Sequence, residues 1–215
     1  WDTETGEVIR RAEGAVPDFS RFVFNAKGQV GFSASADGAL LIWDIGSGSA
    51  RRLKRDGSTP VRQIALSPDG RYAAFDEGHV IVVWDVGANL QISRLVGHKD
   101  NLTALAFRAL SEGSYTLISS SPDARTVQWD IQSGRILKEA VFGINIVGLS
   151  ISLDGRYALM CNNNWLVLFD LVSWGMLERV DERFGSPELT SISPNNRRAL
   201  IAYTNGTLRL SDLPA

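Results

Sequence analysis

The chain has 215 residues, 44% apolar and 21% charged, and 22 basic against 24 acidic residues leave a formal net charge of -2 with no block of like charge. That length buries a sizeable core in one domain, and the balanced charge argues against a nucleic-acid surface. Cys161, the lone cysteine, excludes an intrachain disulfide framework, two histidines exclude a histidine-rich metal centre, and no apolar run approaches the ~18 residues of a membrane span.

Taken in order, the chain opens on Trp1-Asp2, and residues 7–12 read as a short outer strand. An inner-type strand, FSRFVF (19–24), leads into the turn Asn25-Ala26-Lys27-Gly28, then Asp37-Gly38 at a second turn and Trp43-Asp44 at the end of a third strand. The same order returns with VRQIAL (61–66), Ser67-Pro68-Asp69-Gly70 and Trp84-Asp85. The basic run Arg51, Arg52, Lys54, Arg55 between these copies ends at Asp56 without interleaved aromatics, so it reads as a solvated edge.

The third copy parses most cleanly, with strands at 102–107, 115–120, 126–129 and 135–141 separated by Gly113, Pro122-Asp123 and Ser133-Gly134. IVGLSI (146–151), Ser152-Leu153-Asp154-Gly155 and Phe169-Asp170 make the fourth; ELTSIS (188–193), Ser193-Pro194-Asn195-Asn196, Asn205-Gly206 and Ser211-Asp212 make the fifth. From aspartate to aspartate, the six dipeptides lie 42, 41, 45, 40 and 42 residues apart. A period near forty means one supersecondary unit is copied. β-branched and aromatic enrichment with tight-turn residues makes that unit a four-stranded antiparallel meander. A lone meander cannot cover both its apolar faces, and radial packing of copies solves this as a β-propeller.

With these motifs in place, the chain resembles the WD-repeat β-propellers over essentially its whole length. The third copy carries the resemblance best: Gly97-His98 before the blade, Ser119 in the second strand, Asp123 in the next turn and Trp129 closing the third strand. The resemblance implies a buried hydrogen-bond tetrad of His98, Ser119, Asp123 and Trp129, in which indole and hydroxyl donors meet an imidazole bridging to a carboxylate. The first copy keeps Ser33, Asp37 and Trp43 without a Gly-His; the second is aligned with Ala74 and Gly78, the fourth with Leu159, Asn163 and Phe169, and the fifth with Ile201, Asn205 and Ser211.

A His-Ser-Asp set also suggests a hydrolase, but no Gly-x-Ser-x-Gly turn surrounds Ser119, and the Trp of the structural tetrad is present. The innermost strands offer Arg21, Arg62 and Glu188 but no converging His, Asp and Glu, and no phosphate-binding glycine loop occurs, so neither catalytic residues, metal nor cofactor is expected. The turns between second and third strands emerge on one rim, where Phe75, His79, Arg125, Trp165 and Tyr203 are the expected partner contacts, aromatic and Arg side chains being common interface anchors. Trp174 is expected on the opposite rim as an exposed or lid-like aromatic.

The resemblance implies a non-catalytic scaffold for a protein or peptide partner, without nucleic acid or membrane insertion. A regulatory sensor within a larger signalling protein, such as a kinase or nucleotide switch, is the alternative, and a propeller enzyme the remote one. The expected compartment is the cytoplasm. The expected architecture is all-β and a single domain over 1–215, with about five blades here as the C-terminal portion of a longer chain whose ring has about seven.

Overall fold

In the computed structural model the described residues are 4–8, 19–35, 37–53, 59–142, 145–181, 183 and 185–213, and every regular element among them is a β-strand. Trp1-Asp2 and most of the outer strand expected over 7–12 lie outside them. Blade 1 comprises β1 (Phe19–Phe24), β2 (Val30–Ser35), β3 (Leu40–Asp44) and β4 (Ser49–Arg52); blade 2 comprises β5 (Ile64–Leu66), β6 (Tyr72–Glu77), β7 (Val80–Asp85) and β8 (Leu90–Leu95). Blade 3 follows with β9 (Ala104–Ser111), β10 (Ser114–Ser120), β11 (Arg125–Asp130) and β12 (Ile136–Val141), and blade 4 with β13 (Gly148–Ile151), β14 (Tyr157–Cys161), β15 (Trp165–Asp170) and β16 (Gly175–Asp181). Blade 5 has three strands: β17 (Pro187–Ile192), β18 (Arg198–Tyr203) and β19 (Leu208–Asp212). Every sheet is an antiparallel meander in chain order, so the all-β propeller architecture with five blades stands.

The turns explain why these residues form hairpins. Ser67 Oγ donates to Asp69 Oδ1 at 2.6 Å and accepts from Tyr72 N at 2.8 Å, while Asp69 accepts Arg71 N at 3.0 Å. Ser152 and Asp154 repeat the same three bonds, and Ser193 with Asn195 does so again in blade 5. The repeated dipeptide has a parallel use: Asp44, Asp85, Asp130 and Asp170 each accept backbone N–H groups of the turn that follows. Such side-chain acceptors replace ladder bonds where the chain reverses.

Two inner strands differ from expectation for a physical reason. Asp76 takes the N–H groups of Arg62 and Gln63, both at 2.7 Å, so β5 starts at Ile64 rather than Val61. In blade 3, Leu102 and Thr103 precede the strand, with the Thr103 hydroxyl donating to the Ser120 and Ile146 carbonyls, and β9 runs on to Ser111.

Strand alternation sends successive side chains to opposite blade faces, and each joint is an apolar cluster shared by neighbours. Phe32, Leu40 and Ile42 of blade 1 meet Phe75, Val82 and Trp84 of blade 2. Ile81, Val83 and Leu95 of blade 2 meet Leu117, Val127 and Trp129 of blade 3. Ile118 joins Met160, Trp165 and Phe169 across the next joint, and Leu159 and Leu166 join Ile201 and Tyr203 across the last. On the far face of blade 5 the same positions are open: Leu189, Leu200, Leu208 and Leu210 share that face and are 55%, 44%, 66% and 60% exposed. Their counterparts Phe32, Leu40 and Ile42 in blade 1, and Leu159, Leu166 and Leu168 in blade 4, are buried.

One glycine locks blade 3 to blade 4. Gly155 has φ of +68°, and a Cβ there would sit 2.0 Å from the Ala109 carbonyl oxygen. The buried Arg108 reaches across the same joint, its Nε donating to Gly155 O at 2.7 Å. Gly155→Ala therefore strains the backbone and forces the blades apart, and a denaturant melt should show a loss of about 2–4 kcal/mol. A loss below about 1 kcal/mol would mean the joint relaxes freely.

Candidate interaction surface

The inner strands begin, and the second strands end, on one rim, here the upper rim; it carries the turns between second and third strands and the connections between blades. In blade 3 the structure brings His98, Ser119, Asp123 and Trp129 together beneath it. Trp129 Nε1 donates to Ser119 Oγ at 2.8 Å, His98 Nε2 lies 2.8 Å from the same hydroxyl, and His98 Nδ1 lies 2.9 Å from Asp123 Oδ2. The indole donates to Ser119, and the proton of that hydroxyl has no acceptor among the described residues besides His98 Nε2, which assigns Nε2 as the bare nitrogen and Nδ1–H as the donor to Asp123. The network closes only around a neutral imidazole. Gly97 permits it, since a Cβ there would stand 2.9 Å from the Trp129 ring.

The electrostatics agree. Burial pushes the His98 pKa down, outweighing the hydrogen bond and charge of Asp123 that push it up. Burial works to raise Asp123, but bonds from Lys99 N, His98 and Arg125 N outweigh it and hold the carboxyl below its usual range.

Elsewhere the set is partial. Trp43 donates to Ser33 at 2.8 Å, but Asp37 turns to the Ser35 hydroxyl and Ala39 N. Strand register corrects the alignment of two copies. Leu117 pairs with Trp129, as Ala73 does with Trp84 and Ala158 with Phe169, so Phe75 and Met160, not Ala74 and Leu159, stand at the Ser119 position. The Trp84 indole instead reaches Asn89 Oδ1 at 3.4 Å.

Of the expected partner contacts, three are corrected. Phe75, Trp165 and Tyr203 are buried in the joints toward blades 1, 3 and 4 respectively. Each lies on a strand, where side chains point into a joint and only turn residues reach the rim. Arg125 is half-buried and engaged, donating to Gly97 O at 2.7 Å and pairing with Glu139. His79 alone of the five is exposed on a turn. Trp174 lies on the opposite, lower rim as expected, in the turn after β15, but it is half-buried rather than lid-like: it packs edge-on against Phe169 and donates to Glu139 O at 3.0 Å, tying blade 4 to the outer strand of blade 3. Cys161 is buried between blades 4 and 5, and burial pushes its thiol up to about 12, which leaves no reactive thiolate. Among the described residues no three His, Cys, Asp or Glu side chains gather as metal ligands.

The upper rim is held by a side-chain acceptor in every blade. Asp37 binds Ala39 N, Asp76 binds Arg62 N and Gln63 N, Asp123 binds Lys99 N and Arg125 N, Asn162 binds Asn164 N and Trp165 N, and Asn205 binds Thr207 N. Asp76 was the residue the motifs missed. Its signal was an acid, the first of the pair Asp76-Glu77, closing the apolar run YAAF. Around these anchors His79, Lys99, Asp100, Asn163, Asn164 and Thr204 are exposed.

His98→Ala removes the bridge and leaves Ser119 and Asp123 short of a partner, so a denaturant melt at neutral pH should show a loss of about 1–3 kcal/mol. Because the folded pKa of His98 lies below its unfolded value of about 6.5, the unfolded chain takes the proton first. Its contribution is intact above that value and drains as pH falls through it toward the folded pKa. Melts at stepped pH should show His98→Ala flattening that acid dependence; an identical acid slope in the variant refutes the neutral-imidazole assignment.

No family model matches the chain. It is similar to a U3 snoRNP-associated protein-like protein of Arabidopsis thaliana, at 30% identity over 59% of this chain and 30% of the relative. It is also similar to a target of rapamycin complex subunit of Schizosaccharomyces pombe, at 26% identity over 47% of this chain and 32% of the relative. A WD repeat-containing protein of Synechocystis sp. matches at 26% identity over 49% of this chain and 30% of the relative. The chain thus spans about a third of the length of these curated relatives. The forty-residue unit and the blade topology make this chain a β-propeller, and its curated relatives include WD-repeat proteins.

Proposed function

We propose that the protein is a non-catalytic interaction scaffold that presents its upper rim to a protein partner. The observation that carries this is the contrast between the rims. On the lower rim the turn after the inner strand carries one Ser-x-Asp/Asn pattern in blades 2, 4 and 5, and an aspartate anchors the turn after the third strand in blades 1 to 4. On the upper rim an Asp or Asn anchors every blade, but the segments that connect one blade to the next, 53–63, 96–103, 142–147 and 182–186 in the sequence, differ in length and sequence. Specificity on a repeated frame resides where the copies differ, and anchored turns lose little freedom on binding. Relatives named as associated with a U3 snoRNP or as a subunit of a target of rapamycin complex support the same reading.

A photo-crosslinking residue in place of His79, Lys99 or Asn164 should capture a partner in cells, and one in place of Ala88 or Gln132 on the lower rim should not. Capture from the lower rim alone overturns the assignment of the face.

The uncovered leucines of blade 5 support a related proposal, that a further blade of the same build sits against that face and that the ring extends beyond these five. Burial of such a face is what every other joint provides. A Leu208→Cys thiol should react with a maleimide quickly in the 215-residue chain and slowly in the protein as the cell makes it. Equal rates in both would sink the proposal.

A further inference from the structure

At the upper mouth of the central channel an open depression of about 480 Å³ is lined by Ser20, Arg21, Arg62, Gln63, Thr103 and Val147, drawn from blades 1 to 4. Arg21 and Arg62 come from neighbouring blades, are exposed, and make no side-chain hydrogen bond or ion pair among the described residues; the Gln63 amide is likewise free. The two hydroxyls are already committed, Ser20 to Ala34 O and Thr103 to backbone carbonyls. The free donors of the depression are therefore two guanidinium groups and one amide.

Resting on the scaffold reading, we propose that this depression seats an acidic side chain of a docked peptide, with Arg21 and Arg62 as its cationic contacts and the Gln63 amide as a third donor. Guanidinium forks match a carboxylate in geometry as well as charge. Arg62 and Gln63 are held in place from beneath, because Asp76, fully buried, fixes both of their backbone N–H groups at 2.7 Å. Burial raises the Asp76 pKa against those two bonds. The adjoining hollow of about 280 Å³ shares Arg21, Gln63 and Thr103 and is closed on its far side by Glu188. A second negative charge would meet Glu188, so the site suits one acidic residue in an otherwise uncharged or basic segment. A polyanion such as nucleic acid is disfavoured for the same reason.

The test is selection of a random dodecapeptide display library on the immobilised native protein, keeping peptides that compete with one another for the upper rim. One position should be enriched in Asp or Glu. A selected peptide should weaken about tenfold when that acid becomes Gln, and about tenfold against an R21Q/R62Q protein, with little further loss when both changes are combined. Both arginines are exposed, and unchanged thermal melts would show that the variant keeps its fold. Upper-rim peptides without an acidic position, or with affinity indifferent to R21Q/R62Q, overturn this inference and leave the scaffold reading intact. Failure to select any upper-rim peptide also overturns it, while the scaffold reading is judged separately by the crosslinking experiment.

Discussion

Each sheet of this protein has two apolar faces and, among the described residues, no helix to cover either, and that constraint organises the rest of the structure. A strand such as β10 buries Leu117 toward blade 2 and Ile118 toward blade 4, so an inner blade buries both its faces only against two neighbours. The joints are close enough that Gly155 cannot carry a Cβ, and strong enough to hold a guanidinium, that of Arg108, against a facing carbonyl. They also explain the rims. With strand side chains consumed by joints, only turns and connections are left to face solvent at the two ends of the ring.

Backbone groups released at those ends need partners, and short polar side chains supply them. Asp and Asn residues do this on the upper rim in all five blades, and the aspartates of the repeated dipeptide do it on the lower rim. The His98 network is the most elaborate case. Asp123 anchors Lys99 N and Arg125 N as well as His98, so the connection arriving from blade 2 and the turn inside blade 3 share one carboxylate. Asp76 performs a comparable service in blade 2 with no histidine or serine, holding Arg62 and Gln63 at the channel mouth. Different chemistry thus fixes equivalent places, and the side chains displayed beside each anchor are free to diverge.

The sequence by itself determined the repeat, the strand order and the turns, because those depend on residues a few positions apart: Ser67 with Asp69, Asp130 with Ser133, Gly70 at positive φ. That His98, Ser119, Asp123 and Trp129 meet was implied by the resemblance to WD-repeat blades, not by any local pattern. What only the tertiary structure decided is the face each strand residue takes. A slip of one position exchanges a strand's two faces, and Phe75, Trp165 and Tyr203 belong to the joints while Asp76 belongs beneath the mouth of the channel. The partners that impose those choices, such as Phe32 for Phe75 or Glu139 for Trp174, come from neighbouring blades more than thirty residues away, beyond the reach of any local pattern.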